Sequence, residues 1–173
     1  MPKRSVERIQ TDEMKVLQYL ERHAKENIDE LAKKCGFSRQ KISRIIKQLE
    51  EKKTIWGYIA VTDDSSKNLK HFVLLVKRNV IPFDASFKKE LIADKLDSYH
   101  SGVIVDHISL THGEYDGIVC FFAPDLLEAK MLVQEIFKRL GKYFDKYVLL
   151  ETLFPIRKNG LKNPEIKNLV DDI

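Results

Sequence analysis

Residues 27–50 read NIDELAKKCGFSRQKISRIIKQLE. Apolar side chains recur in this stretch at the i, i+3, i+4, i+7 spacing of an amphipathic helix, first at Ile28, Leu31, Ala32 and Cys35 and again at Ile42, Ile45, Ile46 and Leu49. Asn27 and Ser38 are favourable N-caps, and Gly36 is a favourable helix stop. The stretch therefore predicts two helices joined by a short turn, the second running from Ser38 to about Glu50.

The second of these helices carries a polar stripe opposite its apolar one. Gln40, Ser43, Arg44 and Lys47 share the helical spacing but are displaced by two positions, which is about 200° around a helix. No acidic residue lies between Ser38 and Leu49. Arginine pairs well with guanine and glutamine with adenine, and lysine suits phosphates. We therefore predict a recognition helix for double-stranded DNA whose contacts are Ser38, Arg39, Gln40, Lys41, Ser43, Arg44 and Lys47.

The flanking sequence completes a basic N-terminal domain. A first helix is predicted from about Thr11 to Ala24, with Met14, Leu17, Leu20 and Ala24 on one face. Residues 55–61 are strand-like and interrupted by a glycine, which fits either a wing or a linker. Residues 1–60 hold 14 Lys and Arg against 9 Asp and Glu, whereas residues 61–173 hold 16 against 17. This asymmetry favours a polyanionic partner for the first third of the chain.

The remainder of the chain alternates strand and helix patterns. Strands are predicted over 71–77, 102–111, 115–122 and 147–154, and helices over 85–97 and from Pro124 to Gly141. The order βαββαβ predicts a ferredoxin-like domain with a four-stranded antiparallel sheet. The predicted fold class is α+β: a helix-turn-helix (winged-helix-like) domain at 1–60, a linker at 61–69, the ferredoxin-like domain at 70–157, and a tail at 158–173.

This order of parts resembles the leucine-responsive regulatory protein (Lrp/AsnC) family of transcription regulators. The resemblance rests on Leu31 to Ser38, on Ile42-Ser43-Arg44-Ile45 and on Ile55 to Tyr58, and on Gly113-Glu114-Tyr115-Asp116, which matches a Gly-x-Tyr-Asp motif in that family. It implies a homodimer that assembles further, for example into an octamer. It also implies an amino-acid effector bound near Gly113, Tyr115 and Asp116. Glu114 and Gly117 depart from the family pattern, so the ligand is expected to differ.

Three other functions remain open at this stage: a tetrapyrrole-modifying enzyme of a related branch, a small-molecule sensor acting through protein contacts, and a DNA-packaging protein of low specificity. We expect no enzyme, because His71, His100, His107 and His112 do not cluster with a carboxylate in sequence. No metal or cofactor is expected, since the metal-ligand and phosphate-loop motifs are missing. Cys35 and Cys120 suit reduced thiols in apolar surroundings, and we expect a cytoplasmic protein without membrane contact.

Overall fold

The computed structural model describes residues 3–170. Contacts divide the chain into two units. The first comprises residues up to Val61 together with Ile156–Asn168, and the second comprises Thr62–Pro155 and the residues from Leu169 onward. Apart from Val61, the predicted linker therefore belongs by its contacts to the second unit, where Asp64–Lys67 forms a short 3₁₀ helix.

The first unit is built on three helices, α1 (Lys3–His23), α2 (Ile28–Cys35) and α3 (Arg39–Glu51). Their apolar faces meet in one core, whose buried members are Val16, Leu20, Leu31, Ala32, Cys35, Ile42, Ile45 and Leu49. Burial raises the pKa of the Cys35 thiol, so this side chain is a packed apolar group and a weak nucleophile. The two predicted helices of the opening stretch are confirmed at nearly their expected limits.

The prediction for α1 was wrong in its start and in part of its buried face: Leu17 and Leu20 pack in the core as predicted, whereas Met14 and Ala24 are exposed. Thr11 does not cap the helix, because its hydroxyl donates to the carbonyl of Glu7 one turn earlier and the helix continues through it. Met14 is 53% exposed, whereas Val16 is fully buried. The face toward α3 starts with two carboxylates instead of apolar residues: Asp12 pairs with Lys41 at 2.6 Å and Glu13 pairs with Lys52 at 2.7 Å. A search for apolar periodicity alone cannot identify such a face.

The second unit contains the elements β1 (Lys70–Arg78), α4 (Ala85–Ala93), β2 (Ile104–Leu110), β3 (Gly117–Ala123), α5 (Leu126–Leu140) and β4 (Phe144–Glu151). Its strands form a four-stranded antiparallel sheet in the order β2-β3-β1-β4. The ferredoxin-like topology predicted from βαββαβ is confirmed. Helix α4 is shorter than expected because Asp94 adopts a left-handed conformation that ends it, and a 3₁₀ turn at Leu96–Ser98 follows.

Within this unit, the two faces of the sheet differ in what covers them. Phe72, Leu74, Val76, Val119 and Phe121 are buried on one face, against Ala129, Leu132, Val133 and Ile136 of α5. The alternate residues point to the opposite face, and the strand register sets Leu75 beside Ile118 and Val148 and sets Val73 beside Leu150. Leu150 is 48% exposed. The second face is therefore an apolar surface that α5 does not cover.

The C-terminal segment differs from the predicted tail. Two short strands, β5 (Arg157–Lys158) and β6 (Leu161–Lys162), pair antiparallel around Asn159 and Gly160 and are followed by a short helix, α6 (Ile166–Leu169). The strand-like segment 55–61, in contrast, contains no strand. The hairpin of the first unit therefore comes from the far end of the chain. Across residues 3–170 no helix is both long and apolar enough to cross a membrane.

Candidate nucleic-acid interface

The turn between α2 and α3 is held by its own backbone and by one side chain. Gly36 has a φ of 67°, and its N–H and that of Phe37 donate to carbonyls of the last turn of α2. Glycine suits this left-handed position because a β-carbon would strain it. Ser38 then caps α3, its hydroxyl accepting from the N–H of Lys41. The direction of α3 is thus set locally, within three residues of the turn.

The outer face of α3 is solvent-exposed and basic. Its apolar residues Ile42, Ile45 and Leu49 are buried, which turns the opposite stripe outward. Ser38, Arg39, Gln40, Ser43, Arg44 and Lys47 are all exposed. Within the described part of the chain, the side chains of Gln40, Ser43 and Arg44 have no hydrogen bond or ion pair, while Arg39 and Lys47 have long, solvent-exposed contacts to Asp29 and Glu51 at 3.5 and 3.9 Å. Such contacts are weak and exchange readily for phosphate.

Lys41 differs from the other residues predicted to contact DNA. Its ammonium lies 2.6 Å from Asp12 and 3.7 Å from the ring centre of Phe37, and its side chain is only 28% exposed. Both partners hold it against the helical core. The structure therefore places Lys41 between α1 and the turn, and its ammonium is already engaged.

The loop between β2 and β3 contains the residues assigned to an effector. Gly113 is exposed, whereas Tyr115 and Asp116 are half-buried. The backbone N–H of Asp116 donates to Val76, its carbonyl accepts from Thr111, and its carboxylate accepts from the N–H of Arg78 at 2.8 Å. Asp116 is thus bonded to β1 and closes the hairpin. Lys146 lies 3.4 Å from Glu114 and 5.4 Å from the ring centre of Tyr115, beside the same loop.

Asp116 also borders a small cavity inside the second unit. Apolar side chains that include Phe83, Phe87 and Leu91 line most of it, and its volume is about 50 Å³. A space of that size holds a few water molecules, because each needs about 10–15 Å³ measured in this way. Gly113 and Tyr115 are not among its lining residues. This cavity therefore does not enclose the three predicted effector residues together.

Comparison with known proteins agrees with this architecture. A helix-turn-helix domain family matches residues 7–55. An AsnC family transcriptional regulator from Agrobacterium tumefaciens has 18% identity and a TM-score of 0.66 over 90% of this chain and 97% of that one. A transcriptional regulator from Neisseria meningitidis in complex with L-methionine has 19% identity and a TM-score of 0.65 over 91% and 97%. This chain shares the fold of these two proteins, which we call the AsnC-type fold.

A third structure with this AsnC-type fold is a feast or famine regulatory protein from Mycobacterium tuberculosis complexed with L-methionine. It is 17% identical, with a TM-score of 0.64 over 86% of this chain and 94% of that one. No curated protein sequence matches the chain significantly. At these sequence identities the similarity shows a shared fold only. The function of this chain is therefore inferred from its own side chains, above all those of α3.

The histidines add one contact that their sequence spacing did not predict. His100 Nε2 lies 2.5 Å from a carboxylate oxygen of Glu128, in the first turn of α5. His71 contacts Thr152, and His107 contacts Ser109. Among the described residues no group of three or more His, Cys, Asp or Glu is arranged to hold a metal ion. The His100–Glu128 pair fastens the segment before β2 to α5 of the AsnC-type fold.

Sequence reasoning missed one exposed basic element of the first unit, the β5–β6 hairpin. Arg157 and Lys162 lie directly opposite each other on it, and both are exposed. The sequence contained a usable signal, because Asn-Gly between two short extended runs is a strong indicator of a two-residue hairpin turn. The runs are only two residues long, so periodicity does not reveal them.

Proposed function

We propose that this chain is a sequence-specific DNA-binding transcription regulator that inserts α3 into the major groove. The observation that carries the proposal is the outer face of α3, which is exposed, basic and without acidic residues from Arg39 to Leu49. Arg44 and Gln40 are the base-reading candidates, and Lys47 and Arg39 suit phosphates. In helix-turn-helix proteins the N-terminal residues of the recognition helix contact base edges, and Gln40 and Arg44 lie toward that end of α3. Lys41 keeps the turn in place instead.

The proposal includes a dimer formed through the uncovered face of the sheet. Leu75, Ile118 and Val148 lie side by side there, with Val73 and Leu150 in the next row, and sheet-on-sheet packing buries such a surface. A two-fold pair of recognition helices reads two half-sites about one helical turn apart. Further assembly, for example into an octamer, belongs to the same proposal.

An amino-acid effector is the third part of the proposal. Two regulators with this fold are complexed with L-methionine. In this chain Gly113 is exposed and Tyr115 is half-buried in the β2–β3 loop, with Lys146 beside them. Since the small cavity beside Asp116 includes neither Gly113 nor Tyr115, we place the effector where this loop meets another copy. Calorimetric titration with an amino-acid pool, with and without Lys146→Ala, tests this part alone.

The DNA-binding proposal is tested by selecting duplexes from random DNA and then competing the selected duplex against random sequence. A regulator prefers its selected site by about 10³-fold or more, whereas a DNA-packaging protein shows little preference. Arg44→Ala should cost about 1–3 kcal/mol of specific binding, because it removes a base contact from an exposed position. Lys130→Ala is the matched control: it removes one positive charge from an exposed position on α5. Equal binding by both variants would overturn the role given to Arg44.

Among the alternatives, none receives comparable support from the geometry. The His100–Glu128 pair joins two structural elements, the segment before β2 and helix α5. A sensor acting only through protein contacts has no need of an acid-free recognition stripe. We therefore retain the interpretation of a regulator without enzymatic activity.

A further inference from the structure

The β5–β6 hairpin has two faces of different character. Leu161 and Lys158 are opposite each other on one face, and Leu161 lines a groove of the first unit together with Leu17, Leu20, Trp56, Tyr58 and Asn159. The groove has a volume of about 540 Å³. Arg157 and Lys162 are opposite each other on the second face, and both are exposed. The hairpin therefore has one face that borders this groove through Leu161 and another face that presents two cations to solvent.

The pairing of these two cations is unfavourable without an anion. Like charges directly across two antiparallel strands repel each other. In the region 3–170, neither Arg157 nor Lys162 has an ion pair with a carboxylate, and the one contact of the Arg157 guanidinium is to the carbonyl of Gly160 at 2.7 Å. The turn has the backbone favoured in two-residue hairpins, since Asn159 and Gly160 both have positive φ, at 45° and 81°. The hairpin thus holds two positive charges together in a preformed position.

The charge of the whole helical unit points in the same direction. Residues 1–61 and 156–168 together hold 18 Lys and Arg against 10 Asp and Glu, whereas the rest of the chain holds 12 against 16. The C-terminal segment alone adds four basic residues and one acidic residue to the first unit. A segment distant in sequence therefore increases the positive charge of the unit that already contains the basic helix α3. Polyanion binding is the function that such accumulation favours.

We infer that the outer face of the β5–β6 hairpin binds the phosphate backbone of duplex DNA, flanking the groove that α3 enters. The inference rests on the proposed function, because it adds a second contact element to the same DNA complex. Segment 55–61, which comes shortly after α3 in the chain, shares a groove with the hairpin and with the C-terminal part of α1, so the hairpin lies beside the segment that leaves α3. The C-terminal hairpin thus takes the role of a wing that segment 55–61 does not form. Its contacts are to phosphates, so they contribute affinity at every DNA sequence.

The test compares the full chain with Arg157→Gln/Lys162→Gln, measuring affinity for the selected duplex and for random duplex at about 50 and 200 mM salt. Each lost phosphate contact lowers the salt slope by about 0.9, so the affinity ratio between the two salt concentrations should shrink by about tenfold per protomer. Both duplexes should lose affinity equally. Lys88→Gln/Lys89→Gln removes two exposed positive charges from α4 and should leave the slope unchanged. Equal melting temperatures of all three proteins show that folding is retained.

The outcomes separate the two proposals. If the wild type binds the selected duplex and the hairpin variant has the same slope of log affinity against log salt, the inference is overturned and the role of α3 is unaffected. If the α4 control variant shows the same reduction in salt slope as the hairpin variant, the inference is also overturned, because the effect would then come from net charge alone. Absence of any DNA binding by the wild type overturns the proposed function itself. Loss confined to the selected duplex assigns the hairpin to base reading and contradicts a phosphate contact.

Discussion

Individual residues of α3 divide into those that hold the fold and those available to a ligand, and Lys41 and Lys47 show the division most clearly. Both are basic and six positions apart in one helix, yet Lys41 is paired at 2.6 Å with Asp12 whereas Lys47 is exposed. Both are among the residues predicted to contact DNA, although only Lys47 belongs to the polar stripe. The distinction depends on Asp12, which lies on another helix 29 residues earlier.

Exchanging these two lysines for alanine should therefore have opposite consequences. Lys41→Ala should lower the free energy of unfolding by about 1–2 kcal/mol, because it leaves Asp12 half-buried without its cation and uncovers Phe37. Lys47→Ala should change stability by less than about 0.5 kcal/mol and should lower the salt slope of DNA binding by about 0.9. Urea unfolding and DNA titration measure the two quantities. Similar stability losses in both variants would contradict the separation.

Gly117 is the residue at which the sheet leaves least room. A β-carbon there would lie 2.9 Å from Cγ2 of Val76, and valine is too stiff to move far. Gly117→Ala should therefore destabilise the protein by about 1–3 kcal/mol in thermal or urea unfolding. Gly57→Ala is the control, because its β-carbon would have no neighbour within 4 Å. Stability of Gly117→Ala within error of that control would show that the two strands separate easily.

At the scale of elements, prediction succeeded where the signal is local. The limits of α2 and α3 follow from Asn27, Gly36 and Ser38, and each cap is visible in the structure as a hydrogen bond or a left-handed turn. The strands were placed by alternation, although their ends shifted by a few residues. The start of α1 was missed because the hydroxyl of Thr11 bonds within the helix instead of capping it. The helical spacing of polar residues was also enough to select Gln40, Arg44 and Lys47, the main residues proposed to contact bases and phosphates.

Non-local features could not be obtained in this way. The engagement of Lys41, the His100–Glu128 contact and the groove beneath the hairpin each join residues far apart in the chain. The sequence around each of these residues does not indicate which distant residue it contacts. The hairpin could have been predicted from Asn159-Gly160, but only the three-dimensional structure shows that it belongs to the first unit.

The cap of α3 provides a prediction for this element. Ser38→Ala removes the acceptor for the N–H of Lys41 and should cost about 1 kcal/mol of stability. Since the cap sets the start of α3, DNA affinity should fall as well, although Ser38 is replaced by a residue of similar size. Ser38→Asp restores the cap but places a negative charge beside the DNA, so it should recover stability and not affinity. If Ser38→Asp recovered DNA affinity as well as stability, the proposal that the N-terminus of α3 lies against DNA would be contradicted.

At the scale of the whole molecule, the central question is how many copies act together. The outer sheet face includes Leu150 at 48% exposure, and Leu150→Asp should convert the proposed dimer to a monomer in analytical ultracentrifugation. Leu153→Asp changes a residue that follows β4 and is 85% exposed, and should leave the mass unchanged. A Leu150→Asp protein with the wild-type mass would show that the copies associate elsewhere, or not at all.

The most direct test of the account is the salt dependence of DNA binding by the full chain. Trp56 is the sole tryptophan and is 94% exposed in the helical unit, so its fluorescence reports binding to that unit. Titrations with the selected duplex between about 50 and 200 mM salt should give a linear fall of log affinity with log salt, by about 0.9 for each phosphate contact. A flat response, or no change in Trp56 fluorescence at any DNA concentration, would contradict the claim that α3 and its flanking elements bind DNA.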